Sequence, residues 1–273
     1  MYDGYIGGDN MIQFFLGTVV LLMIIVVYAF KMAGGYKWVK GSGHLISVKE
    51  DVDVFNSLEV RHGFQVEIIK ADHHEVTIEM DDNLVEYLEI YTENNTLHLG
   101  MKPDTIYKRA TLKAKVYMQS MDSLKGSGAT CIKVSDEVVG QDKFSLKLSG
   151  ASSIAGKLIS ENIVLEHSGA SHAKLDLQAV NLGIKLSGAS DFNANGMTEN
   201  VVLNASGASH IKAGKLFVKK ADVQLSGASG IKMAIEETVE IKATGGSDIV
   251  ILGQPTVTKQ KVGAASSLKF KER

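Results

Sequence analysis

Apolar and polar residues alternate through most of the chain, and from residue 121 to 273 the alternation recurs about every 19 residues. Alternation with a period of two is typical of β-strands that bury one face, and no helical period of 3.6 residues runs through this half. The same tetrapeptide, Ser-Gly-Ala-Ser, marks each period, and a variant, Ser-Gly-Ala-Thr, begins at Ser127. Complete copies begin at Ser149, Ser168, Ser187, Ser206 and Ser226.

Short strands at a fixed period predict an all-β fold, a β-solenoid with coils of about 19 residues whose equivalent positions stack about 4.8 Å apart. We expect glycine at each bend, alanine at a crowded inner corner, and the last motif hydroxyl bonded to its neighbours or to local backbone. We call a column of equivalent residues on successive coils a file. The files predicted to have a structural role contain Ser149, Gly150, Ser152, Ser168, Gly169, Ser171, Ser187, Gly188, Ser190, Ser206, Gly207, Ser209, Ser226, Gly227 and Ser229.

Residues 46–120 lack the tetrapeptide but still alternate, with turn signals at Asp81-Asp-Asn and Glu93-Asn-Asn. They are interpreted as irregular N-terminal coils and a cap, so that the solenoid covers residues 46–273 and its regular repeats residues 121–273.

Residues 11–30 contain no charge and are long enough, as a helix, to cross the hydrocarbon core of a bilayer. We interpret 1–10 as a short tail, 11–32 as an uncleaved single-pass transmembrane helix, and 33–45 as a juxtamembrane linker. The alternatives are a buried core helix and a cleaved signal peptide, and translation from Met11 would favour the latter.

The lysines that follow residue 30, Lys31, Lys37 and Lys40, favour a cytoplasmic solenoid by the positive-inside rule, which is the side opposite to the one preferred below.

Composition excludes several classes of function. The net charge is −2, from 29 Lys and Arg against 31 Asp and Glu, and a near-neutral chain with three arginines does not favour nucleic acid as a partner. A single cysteine, Cys131, can form neither an internal disulfide nor a cysteine-based zinc site.

Few residues suggest chemistry. One file places His172, Asp191 and His210 on successive coils, where they could hold a divalent metal or form an exposed polar ladder. The segment Asp72-His-His-Glu75 is a weaker metal candidate, because neighbouring side chains on a strand point to opposite faces. His167 belongs to a core file and is expected to be packed there.

No nucleophile elbow, dinucleotide loop, P-loop or HExxH motif is present, so we expect no catalytic residues and no cofactor.

A family resemblance follows from Lys40-Gly-Ser-Gly, Asp81-Asp-Asn-Leu, Glu93-Asn-Asn-Thr-Leu, Val116-Tyr-Met and the repeated tetrapeptide. Together they resemble the bacterial auto-transporter adhesin head, or GIN, domain over roughly residues 40–270. The resemblance implies a right-handed β-helix in the cell envelope and brings no catalytic residues. We expect the chain to depart from typical members by an uncleaved anchor and by the lack of the coiled-coil stalk and β-barrel of an autotransporter.

The leading interpretation is a non-enzymatic, membrane-anchored envelope protein whose solenoid, on the exported side, binds a glycan or envelope protein or self-associates as a homo-oligomer. The alternatives are a cytoplasmic, membrane-tethered scaffold that polymerises as bactofilins do, an envelope-stress regulator, and a polysaccharide-modifying enzyme.

Overall fold

The structure, a computed structural model, describes residues 37–272 and separates them into two units. The smaller unit pairs strand β1 (Lys37–Lys40) with strand β8 (Thr105–Lys108) in parallel. The ammonium of Lys108 lies 3.5 Å from the centre of the Trp38 ring, which is a cation–π contact. Residues 37–40, in the middle of the predicted linker, are therefore a strand.

The larger unit contains the other twenty strands and a 3₁₀ helix (Asp82–Tyr87). Its first strands are β2 (Leu45–Glu50), β3 (Ser57–Val60), β4 (Gln65–Lys70), β5 (Glu75–Asp81), β6 (Leu88–Glu93), β7 (Thr96–Met101) and β9 (Leu112–Met118). The repeats supply β10 (Ser123–Gly126), β11 (Cys131–Val134), β12 (Val138–Val139), β13 (Lys143–Leu148), β14 (Ser153–Ile159), β15 (Asn162–His167), β16 (His172–Leu186), β17 (Asp191–Ala205), β18 (His210–Leu225), β19 (Gly230–Ala243), β20 (Asp248–Leu252), β21 (Thr256–Val262) and β22 (Ser267–Lys271).

Successive repeats stack in parallel and in register, which confirms the predicted all-β solenoid. His172 of β16 pairs with Asp191 of β17, and Asp191 pairs with His210 of β18. The strands form two faces. Face A is the parallel sheet formed, in this order, by β7, β3, β10, β13, β15, the second halves of β16 to β19, and β21. Face B is the parallel sheet formed, in this order, by β9, β4, β11, β14, the first halves of β16 to β19, β20 and β22.

Alternate residues of these strands point inward and form one continuous core. Strand β16 shows the pattern, since Ala173, Leu175 and Leu177 are buried while the residues between them are exposed. Phe144 and Phe192 also lie in this core and are fully buried. Burial of these apolar files is the main stabilising contribution, since it removes a large apolar area from water.

The N-terminal strands close one end of this core by antiparallel pairing. Strand β9 lies between β4 and β5, and β5 pairs with β2. Strand β6 folds back on β7 as a hairpin, with Asn94 and Asn95 both at positive φ in the turn. The 3₁₀ helix buries Leu84 and Tyr87.

The predicted transmembrane segment, residues 11–32, lies outside the described residues. Within residues 37–272, no helix has the length and apolar character needed to cross a bilayer.

Candidate functional site

Each Ser-Gly-Ala-Ser segment is a tight turn that hydrogen-bonds to the turn before it. Gly188 has a φ of 74°, and the amide of Ala189 donates to the Gly169 carbonyl at 2.8 Å. A Cβ built on Gly188 would lie 2.5 Å from that carbonyl oxygen, so only glycine permits this close stacking. The same geometry recurs at Gly150, Gly169, Gly207, Gly227 and Gly245.

The last residue of each motif, and not alanine, occupies the inner corner. Ser190 is buried, and its hydroxyl donates to the Ser187 carbonyl of the same turn at 2.8 Å. Ala189 is exposed, so the prediction of an inward alanine is wrong. The reason is that the inward side chain must satisfy a buried carbonyl, which a hydroxyl can do and a methyl group cannot. Equivalent bonds are made by Ser152, Ser171, Ser209, Ser229 and Ser247.

A shallow groove follows the start of these turns along face A, and we call it the serine groove. One wall is the first motif residue of each turn, and the other wall is the polar residue two positions earlier. Two adjoining cavities, of about 520 and 260 Å³, share Lys185 and Ser187 and so form one continuous depression. The walls are Ser127, Ser149, Ser168, Ser187, Ser206, Ser226 and Thr244, and Lys125, Lys147, Glu166, Lys185, Asn204, Gln224 and Lys242.

The hydroxyls of this groove are oriented by backbone and keep acceptor capacity. The Ser187 hydroxyl donates to the His167 carbonyl at 3.4 Å, and the Ser206 hydroxyl donates to the Leu186 carbonyl at 3.4 Å. A hydroxyl that donates one bond can still accept two. Each coil therefore presents a hydroxyl acceptor at nearly constant spacing.

The charges of the groove are only partly paired. Lys147 Nζ lies 2.9 Å from Glu166 Oε2, and this hydrogen bond lowers the pKa of the Glu166 carboxyl from its ordinary value. Lys185 and Lys242 make no ion pair within residues 37–272. The groove thus carries a net positive charge towards its C-terminal half.

His167 lies beneath the groove with its ring in the core. It is 2% exposed, its ring meets Phe192 edge to face, and neither ring nitrogen has a hydrogen-bond partner among the described residues. Burial, with a smaller contribution from His172, lowers the pKa of His167 to about 4. The imidazole is therefore neutral at pH 7.

The candidate metal residues are only loosely grouped. His172, Asp191 and His210 do stack on successive coils, with His210 Nδ1 3.9 Å from Asp191 Oδ1. In the part of the chain that the structure describes, no three His, Cys, Asp or Glu residues are arranged to hold a metal ion. Metal binding by this file stays a prediction from the sequence.

The segment Asp72–Glu75 leads from the turn after β4 into β5, which begins at Glu75. His73 Nδ1 lies 3.0 Å from Asp72 Oδ1, whereas His74 Nε2 lies 3.0 Å from the Phe55 carbonyl. The two imidazoles therefore serve separate local contacts.

Two of the motifs singled out in the sequence bind each other, which the sequence did not indicate. The buried carboxylate of Asp81 accepts from the amides of Gly43 at 2.6 Å and Thr111 at 2.7 Å. The Ser42 hydroxyl donates to Asp82 Oδ1 at 2.6 Å, and the Ser42 amide donates to the Asn83 side chain. We call this group, residues 41–43 with 81–83, the aspartate clasp.

A second depression of about 530 Å³ lies on face B beside the antiparallel cap. Its charges pair with each other, since Lys113 Nζ lies 2.7 Å from Glu79 and Lys133 Nζ lies 3.5 Å from Glu67. Exposed ion pairs of this kind leave fewer groups for a ligand than the serine groove does.

Comparison with known proteins finds one matching family and several solved structures of similar fold. Residues 54–255 match the family described as "Putative auto-transporter adhesin, head GIN domain". A putative adhesin from Parabacteroides merdae has a TM-score of 0.80 and 18% identity, over 86% of this chain and 100% of that chain. A putative lipid binding protein from Parabacteroides distasonis has a TM-score of 0.77 and 17% identity, over the same shares. No curated protein matches the chain at a significant level.

Proposed function

Since the chain belongs to the auto-transporter adhesin head GIN domain family, we propose that it is a non-enzymatic binding protein of the cell envelope. Its ligand in this proposal is an extended acidic polysaccharide that lies along the serine groove. The observation that carries the proposal is the continuity of this groove, in which each coil offers one hydroxyl and one polar side chain.

The repeat of the groove favours a repeating ligand. Groups that recur at the coil spacing of about 4.8 Å can meet successive sugar units of an extended chain with similar contacts. The hydroxyls, together with the amides of Asn204 and Gln224, suit the hydroxyl groups of sugars.

The charge of the groove favours an anionic ligand. Lys185 and Lys242 lie three coils apart along one wall, and neither has an ion-pair partner in the described chain. A lysine that is not paired within the protein gains a charge-assisted hydrogen bond when a carboxylate or sulfate approaches.

The arrangement of the serines supports a role in binding and not in catalysis. Where a hydroxyl bond is seen in the groove, it runs to a backbone carbonyl, as for Ser187 and Ser206. Nucleophilic catalysis needs an adjacent base within hydrogen-bond reach of the hydroxyl. Two solved structures of similar fold are named putative adhesins, which is consistent with this role.

The test is binding of the full chain to polygalacturonate and heparin, with neutral dextran as the reference polymer. We expect salt-sensitive binding to the acidic polymers and at least tenfold weaker binding by Lys185→Glu/Lys242→Glu. The matched control, Lys212→Glu/Lys232→Glu, changes the same charge on face B and should bind normally. Equal losses in both variants, or no binding to either acidic polymer by the parent chain, would contradict the proposal.

We propose further that residues 11–32 anchor the protein in the membrane and that the solenoid lies on the exported side. The family supports export, whereas the lysines after residue 30 support a cytoplasmic scaffold, which is the second candidate. Protease treatment of intact spheroplasts separates the two. Loss of the solenoid band indicates export, and protection until detergent is added indicates the scaffold.

A further inference from the structure

The smaller unit, strands β1 and β8, has one amphipathic face. Side chains alternate between the two sides of a strand, and directly paired residues of neighbouring strands share a side. The parallel register pairs Trp38 with Ile106 and Lys40 with Lys108, so these four side chains lie on the same side. We call this side of the unit the tryptophan face. It combines an aromatic ring, an aliphatic side chain and two ammonium groups.

The aromatic ring of this face is open to its surroundings. Trp38, the single tryptophan of the chain, is 57% exposed. The ammonium of Lys108, 3.5 Å from the ring centre, holds a positive charge against the indole. Exposed tryptophan beside lysine is the composition that proteins use at the boundary between membrane and water.

The charge of the smaller unit suits an anionic surface. Its described residues, 37–40 and 103–108, contain the lysines Lys37, Lys40 and Lys108 and one carboxylate, that of Asp104. Asp104 lies in the turn before β8, so the two strands themselves carry only positive charge. Basic residues close to a bilayer are attracted by anionic lipid head groups, and this attraction falls off within a Debye length.

The place of β1 in the chain brings this face to a membrane. The proposed anchor ends at residue 32, and the six residues from there to Trp38 span about 20 Å at most when fully extended. The head-group layer on each side of a bilayer is about 6 Å thick. The tryptophan face is therefore within reach of the head groups on whichever side of the membrane the solenoid lies.

From these observations we propose that the tryptophan face docks on anionic phospholipid head groups beside the anchor. The Trp38 ring lies at the level of the head groups, and Lys40 and Lys108 contact their phosphates. This inference rests on the proposed membrane anchor, but it does not depend on the side of the membrane. The protein then has two membrane contacts, the anchor and the tryptophan face.

The test uses Trp38 as the probe in the full chain, reconstituted into vesicles of phosphatidylcholine alone or with one third phosphatidylglycerol. The phosphatidylcholine is brominated near the head-group end of its acyl chains, because bromine quenches the fluorescence of a nearby indole. We expect at least twofold stronger quenching of Trp38 in the vesicles that contain phosphatidylglycerol. High salt should remove this difference, since exposed charges are screened.

Two charge variants separate docking from simple tethering. Lys40→Glu/Lys108→Glu keeps the tryptophan and the anchor, and its Trp38 should be quenched equally weakly in both kinds of vesicle. Lys212→Glu/Lys232→Glu makes the same change of charge on face B and should behave as the parent chain. Equal effects of the two variants would overturn the proposal. So would a parent chain whose Trp38 is quenched no more with phosphatidylglycerol than without it, a comparison that needs no variant.

Flotation of the same vesicles on a density gradient separates this inference from the proposed anchor. A chain that floats with the vesicles while Trp38 stays unquenched is anchored but not docked, which overturns the docking alone. A chain that stays at the bottom of the gradient has no anchor, which overturns the proposed anchor and the docking with it.

Discussion

At the residue scale, the turn glycines allow two costs of a glycine-to-alanine substitution to be measured separately, the strain of a positive φ and the steric contact of the added Cβ. A Cβ on Gly188 meets backbone at 2.5 Å, whereas a Cβ on Gly128, whose φ is 81°, meets its nearest atom at 3.5 Å. We expect Gly128→Ala to cost about 1 kcal/mol from its left-handed backbone alone, and Gly188→Ala to cost about 3 kcal/mol or more. Urea unfolding of both variants measures the difference, and equal losses would show that turn stacking contributes nothing.

A second prediction at this scale concerns His167, a neutral imidazole in a file that holds leucine at Leu148 and Leu186. Its folded pKa of about 4 is below its unfolded value of about 6.5, so the unfolded state binds the proton more readily. Stability is therefore full above pH 6.5 and falls as the pH drops, by about 3 kcal/mol at pH 4.

The substitution His167→Leu should abolish this part of the acid sensitivity. Chemical unfolding at pH 7.5, 5.5 and 4.5 measures it, with Leu186→Met as a core control that keeps the imidazole. If His167→Leu and the parent chain lose stability in parallel between these pH values, burial of the imidazole is not the cause.

Sequence reasoning at this scale succeeded where one backbone conformation is required and failed where two small residues compete. The tetrapeptide indicates glycine bends because few other residues adopt positive φ. It does not show which of Ala189 and Ser190 points inward, since both are small and the choice depends on a carbonyl, that of Ser187, in the folded turn.

At the scale of elements, the aspartate clasp holds the segment before β2 against the end of β5. Asp81→Ala removes a buried carboxylate that accepts two short bonds from backbone amides, and we expect a loss of about 3 kcal/mol. Ser42→Ala removes an exposed hydroxyl from the same clasp and should cost less than 1 kcal/mol.

Hydrogen exchange tests whether the clasp stabilises only the strands near it. Amides of β2 and β5 should exchange faster in Asp81→Ala, while those of β17 and β18 keep their protection. Uniform loss of protection along the chain would indicate that the clasp stabilises the whole unit and not the cap.

The strands themselves were predictable, but the order of the cap was not. Period-two alternation marks Glu75–Asp81 and Leu112–Met118 as strands, because each has one buried face. Their antiparallel pairing, with β9 inserted beside β4, joins segments that no repeat relates. The files that line the groove are likewise visible in the sequence, but the groove itself forms only when successive coils stack.

At the scale of the whole molecule, the coils behave as units that contact mainly their neighbours. Deletion of residues 187–205, one interval of the repeat, joins Leu186 to Ser206 and keeps every file continuous. We expect a folded β-protein with a modestly lower melting temperature, since one stacking interface is lost and the next is rebuilt.

Deletion of residues 187–196 is the matched control, because it removes part of a coil and shifts the files out of register. Circular dichroism should show cooperative unfolding for the first deletion and none for the second. Two folded deletions, or two unfolded ones, would contradict a modular solenoid.

The stacked turns also bear on how such a molecule changes over evolutionary time. The turn glycines from Gly150 to Gly245 contact the turn before them in the same way, so an inserted coil finds a matching surface on either side. A tandem duplication in the gene would therefore extend the serine groove by one step and leave its cross-section unaltered. The length of groove that the protein offers to a polymer would therefore grow or shrink by whole coils.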